Sequence, residues 1–134
     1  MTLTIRGLCP LIQVFDMPTS LRFYRDLLGF SEVQKSGAGD DVGWAWLRHG
    51  DAELMLNTAY DEGQRPPVAD AARVAAHGDT VLFMGCEDLD GAYAELVARG
   101  IAASPPKVAH YGMKQLSFMD PDGFGVCLQW PAAP

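Results

Sequence analysis

The chain lacks long apolar runs. Nowhere do eighteen uncharged apolar residues follow one another, which excludes a helical membrane span. Its opening, MTLTIRGLCP, has neither an apolar stretch of signal-peptide length nor a small-residue cleavage site, so a cytoplasmic location is expected. Runs of Lys or Arg are also missing, and the formal net charge is −7. Nucleic acid and anionic membrane are therefore not expected as partners. The simplest role of the acidity is solubility; attraction of a cationic ligand is the sharper alternative. Cysteine is scarce, and Cys9, Cys86 and Cys127 are odd in number, sit in strand-like runs and show no C-x-x-C spacing. Free buried thiols in a reducing compartment are expected. The three histidines, His49, His77 and His110, form no i, i+4 pair and no H-x-E motif, and read as exposed loop residues.

What is present is repetition. At 134 residues, with 49% hydrophobic and 20% charged, the chain is one globular domain's worth. Within it, Asp16 to Phe30 (DMPTSLRFYRDLLGF) reads as a capped amphipathic helix closing at Gly29, and Asp88 to Ile101 (DLDGAYAELVARGI) repeats the pattern, closing at Gly100. The first stripe is Leu21, Tyr24, Leu27 and Leu28; the second is Leu89, Ala92, Tyr93, Leu96 and Val97, capped by Asp88 or Asp90. A strand-like run precedes each helix, at 8–15 and 81–86. After the first helix come a strand at 30–35, a loop at 37–40 and a hairpin of 42–47 with 52–57. The stretch 58–78, rich in Pro, Ala and charge, is a linker with a short helix near 70–76. After the second helix, Ser104-Pro105-Pro106 is a turn, 107–111 a short strand, and 115–119 with 124–130 a hairpin. The class is α+β, with two βαβββ modules at about 8–57 and 79–130.

A strand ending V-F-D, the S-L-R-F-Y-R-D-L-L-G-F that follows it, and F-M-D-P-D-G-F-G-V-C-L-Q near the C-terminus together resemble the vicinal oxygen chelate superfamily of glyoxalases, extradiol dioxygenases and bleomycin-resistance proteins. D-P-D-G is also a plain turn signal, because Pro121 presets φ and Gly123 tolerates positive φ. The resemblance implies a curved eight-stranded mixed sheet, made of the two modules and closing around a cavity. It also implies where metal ligands would stand in the metal-dependent members, which use His or Gln and Glu. Those positions fall on Cys9, Met55, Val81 (Asp79 if the register slips) and Cys127, so no cofactor is expected. Soft ligation of Cu(I) by Cys9, Met55 and Cys127 is the lesser alternative, since the same residues serve as soft core filling. A nucleophilic Cys is not favoured, because no His, Lys or helix N-terminus is placed by sequence to lower its pKa.

Period-two alternation puts Gln13 with Cys9, Glu53 and Asn57 with Met55, and Gln129 with Cys127. A two- or four-residue turn at His49-Gly50 leaves Trp44 and Trp46 on the face of Met55; a three-residue loop turns them away. The family pattern places Gln115 and Ser117 inward. These eleven residues are the expected cavity lining. Buried amides at Gln13, Asn57, Gln115 and Gln129 would each need a partner, which favours a ligand-filled pocket over a dry core. The expected function is metal-free sequestration of a planar or cationic small molecule, as in bleomycin-resistance proteins. The alternatives are a metal-dependent lyase, isomerase or dioxygenase, with Glu53 or Asp79 recruited, and a regulatory module with a vestigial cavity. A homodimer is expected from the sheet edges that two such modules expose.

Overall fold

The computed structural model describes residues 2–60 and 63–134; the part of the expected linker at 61–62 lies outside them. The chain divides into two compact units, residues 1–66 and 67–134. Each unit holds its own four-stranded mixed sheet, so the eight strands are hydrogen-bonded as two separate sets of four.

In the first unit, β1 (Leu11–Gln13) leads into α1 (Met17–Leu21), which passes directly into a π-helix over Arg22–Leu27. Then follow β2 (Ser31–Lys35), β3 (Trp44–His49) and β4 (Ala52–Asn57), in the sheet order β1-β4-β3-β2. The first strand is shorter than the run at 8–15. Pro10 lends its carbonyl to the Met55 N–H at 2.8 Å but has no N–H to give, and Leu8 stays exposed. The Pro18 start and the Gly29 stop (φ 85°) hold as read, but the second half of the helix is wound wider, with the Leu28 N–H reaching back five residues to Phe23. A π-turn advances less per residue than an α-turn, so the buried stripe shifts to Leu21, Phe23 and Tyr24, leaving Leu27 and Leu28 half-buried. Leu21, Phe23 and Tyr24 join one face of the sheet (Ile12, Ala45, Leu47, Leu54 and Leu56), with Val14, Met17, Phe30 and Val42, in the buried apolar set of this unit. Each of the larger aliphatic and Phe side chains is worth about 1.5–3 kcal/mol of burial, and truncating fully buried Leu47 to Ala should cost about 2–5 kcal/mol.

The second unit contains α2 (Ala71–Ala76) with a 3-10 turn at His77–Asp79, β5 (Val81–Gly85), α3 (Leu89–Ala98), β6 (Lys107–Val108), β7 (Met113–Met119) and β8 (Gly125–Pro131), in the sheet order β5-β8-β7-β6. Asp88 is the α3 cap, its carboxylate accepting the Gly91 N–H at 2.9 Å, and Gly100 (φ 81°) ends the helix. Leu89 and Leu96 are buried, whereas Val97 at the stripe's edge is exposed. The two units repeat each other in register as well as order. Leu11 pairs with Met55 in parallel, Val81 pairs with Gly125 in parallel, and both pairs lie 44 residues apart.

Candidate functional site

A two-residue turn at Gly50-Asp51 sets the register of β3 on β4: Trp44 opposite Asn57, Trp46 opposite Met55, Arg48 opposite Glu53. On the other side of β4, β1 adds Gln13 beside Asn57 and Leu11 beside Met55. Adjacent cross-strand rows therefore read Gln13-Asn57-Trp44 and Leu11-Met55-Trp46 on one face. These side chains are half-buried apart from exposed Leu11, while the alternate residues of the same strands are buried. The Arg48 guanidinium lies 5.4 Å from the Trp46 ring centroid and is held there by Glu53 at 2.8 Å. Burial, and then the Glu53 charge, push the Cys9 thiol above its ordinary range. The indole Nε1 of Trp46 is buried and has no hydrogen-bond partner among the described residues.

The open face of the second sheet is built the same way. Phe83, Cys127 and Ser117 form one row; Gly85, Gln129, Gln115 and Lys107 form the next. The Gln115 amide donates to Gln129 Oε1 and to the Tyr111 hydroxyl, both at 2.9 Å. Cys127 is buried, Gln115 and Gln129 are half-buried, and Phe83 and Ser117 are exposed. An open groove of about 940 Å³ lies along β6 and β7 and includes Gln115 and Ser117 in its lining.

A family model for the Glyoxalase/Bleomycin resistance protein/Dioxygenase superfamily matches residues 8–128. The chain belongs to this superfamily. Comparison with curated proteins gave no match. Among solved structures, the chain is similar to TnmS3, an antibiotic binding protein from Streptomyces sp. CB03234, with TM-score 0.71 and 24% identity over 98% of this chain and 100% of that one. The bleomycin-binding protein of Streptomyces verticillus, solved with copper(II)-bleomycin, superposes with TM-score 0.64 at 20% identity over 99% and 100% of the two chains. A bleomycin resistance determinant encoded on the transposon Tn5 does so with TM-score 0.68 at 21% identity over 96% and 100%. At these identities the likeness is one of fold.

Metal-dependent members of the superfamily raise the question of whether this chain's donors fit a metal. They do not. Cys9, Met55, Val81 and Cys127 supply no imidazole and no carboxylate, Val81 is 47% exposed, and among the described residues no three His, Cys, Asp or Glu are grouped to hold an ion. Asp79 lies in the exposed 3-10 turn after α2, and Glu53 is committed to Arg48.

Several expectations need correction. His77 is no exposed loop residue: it stacks on Phe124 at 4.0 Å between centroids, and its Nδ1 lies 2.7 Å from the Asp122 carbonyl oxygen. His49 ends β3 rather than occupying the turn. Cys9 and Cys86 are only half-buried. The four amides do not form a set of buried orphans: Gln115 donates to Gln129 Oε1, Gln13 has a partner of its own, and among the described residues no buried amide atom lacks one. The buried orphan is an indole instead. Arg48, Lys107 and Tyr111 were missed, although alternation from Trp46 already places Arg48 on its face. Among the described residues, no helix is long and apolar enough to cross a membrane.

Proposed function

We propose that this chain is a small-molecule-binding protein of the bleomycin-resistance type, which holds a planar compound and releases it chemically unchanged, without a metal. The observation that carries this reading is the open face of the first sheet. Two indoles and two amides stand in adjacent rows, half-buried, and the buried Trp46 N–H has no hydrogen-bond partner among the described residues. A ligand acceptor reaching that N–H would remove a penalty of about 1–3 kcal/mol. Flat surface and polar edge together suit a stacked aromatic compound. Covalent chemistry has less support. Burial, as the largest cause, raises the thiols of both Cys9 and Cys86, which keeps them protonated and weakly nucleophilic. TnmS3 and the S. verticillus protein, which bind an antibiotic and bleomycin, share the fold and support a drug-sized ligand.

We also read the working form as a cytoplasmic homodimer. Val81, Phe83 and Met119 leave an exposed apolar strip on one face of the second sheet, and a second copy of the protein is the partner that closed symmetry makes available.

The test is a screen of planar aromatic compounds by thermal shift and tryptophan fluorescence, followed by Trp44→Ala and Trp46→Ala. Stacking on such a side chain contributes about 1–3 kcal/mol, so each variant should weaken binding roughly ten- to a hundredfold while remaining folded. Unchanged affinity in both variants would overturn the reading.

A further inference from the structure

Along β7 the chain builds a groove whose charge is opposite in sign to that of the protein as a whole. Proline makes it. The Ser104 N–H donates to the Ser117 carbonyl and the Ser117 N–H returns to Ser104 Oγ, both at 2.9 Å, and pairing resumes at Lys107 opposite Gln115. Pro105 and Pro106 therefore stand opposite the single residue Leu116. Neither proline has an N–H for the ladder, and the strand bulges away from β7 there. The hollow of about 940 Å³ that accompanies this bulge falls within the size range of small-molecule sites.

Its lining carries no carboxylate. Lys107 lines it, is exposed, and has no ion-pair or hydrogen-bond partner among the described residues, whereas Lys114 and Arg99 of the same unit are paired with Asp90 and Glu95. Hydrogen-bond donors point the same way. Ser104 Oγ already accepts a hydrogen bond and keeps its own proton to give. Lys107, Gln115 and Gln129 occupy one cross-strand row, which gathers the ammonium and the amides on one face.

We infer that this groove, which lies within the second unit, takes the carboxylate of a small organic acid, with Lys107 as its counter-charge; the inference goes beyond the small-molecule reading above and concerns a separate surface. A carboxylate is acceptor-only and so matches the Lys107 ammonium and the Ser104 hydroxyl, both of which line the groove. A cationic ligand would meet an ammonium with no acid beside it. The acidity that gives the chain its net charge of −7 lies outside the lining, and at physiological salt it is largely screened beyond about 8 Å.

The experiment is calorimetric titration of the full chain with three probes of one shape: 2-naphthoate, 2-naphthamide and 2-naphthylmethylammonium. The expected order is naphthoate tightest and the ammonium weakest. In Lys107→Met, naphthoate should weaken about tenfold, with naphthamide changed less than about twofold. Lys107→Arg should keep the preference for the acid. Tighter binding of the ammonium, or an unchanged acid-to-amide ratio in Lys107→Met, would overturn the inference while leaving small-molecule binding intact. Binding of none of the three at millimolar concentration would overturn it as well, and the broader screen then judges the small-molecule reading separately.

Discussion

A Cβ on Gly123 would lie 2.5 Å from the carbonyl oxygen of Val74. The D-P-D-G turn is thus a socket for the end of α2 as well as a reversal of the chain. The Asp120 carboxylate accepts the N–H groups of Asp122 and Phe124, both at 2.9 Å, and His77 lies stacked on Phe124. Gly123 also sits at φ 88°, where a side chain is strained whatever the space. Gly123→Ala should therefore cost about 3 kcal/mol or more, since strain and backbone clash add. Thermal melts check this; a loss below about 1 kcal/mol would show that α2 moves aside freely.

At the end of the π-helix, Arg25 bonds to Asp26, Glu32 and Asp40, and Lys35 adds to the same cluster. Hydrogen bonding from Arg25, more than its charge, lowers the Asp40 carboxyl from 3.8 to about 2. A carboxyl depressed on folding stabilises above its unfolded value and loses that contribution as pH falls through its folded value. The melting temperature of the wild type should exceed that of Asp40→Asn by a constant margin above about pH 5, and the margin should shrink below that and vanish by about pH 1. Both side chains are partly solvated, so the margin itself should be modest. A margin independent of pH would assign the effect to packing.

Protein purified without an affinity tag should carry no stoichiometric transition metal, because Cys9, Met55, Val81 and Cys127 supply no imidazole or carboxylate and, among the described residues, no three His, Cys, Asp or Glu are grouped to hold an ion. Elemental analysis after dialysis checks it. One Zn, Ni, Mn or Fe retained per chain would refute the metal-free reading.

Light scattering at tens of micromolar should give about twice the 14.5 kDa chain mass. Phe83→Glu, on the exposed strip, should shift the mass toward the monomer. A wild-type monomer would mean that Val81, Phe83 and Met119 serve something other than self-association.

Local chemistry made much of this legible. Period-two alternation placed Trp44 and Trp46 with Met55, since the face of a strand residue follows from counting once the turn length is known. The cap of α3 was legible down to Asp88 or Asp90, since a capping carboxylate serves its own helix start, and the structure uses Asp88. Contacts between distant segments were not. The Gln115–Gln129 bond depends on the register of β7 on β8, and with it the expectation of orphaned amides failed. The burial of His77 depends on a turn 45 residues away. The π-winding of 22–27 leaves no mark in an apolar pattern of so few turns.

Both sheets close over the same 44-residue span, and every ladder bond of the first involves residues no later than Asn57. During synthesis the first sheet can therefore complete its hydrogen bonding before any strand of the second has left the ribosome. The parallel pair that closes each half also faces a similar entropic cost of loop closure, since that cost follows the length of chain enclosed.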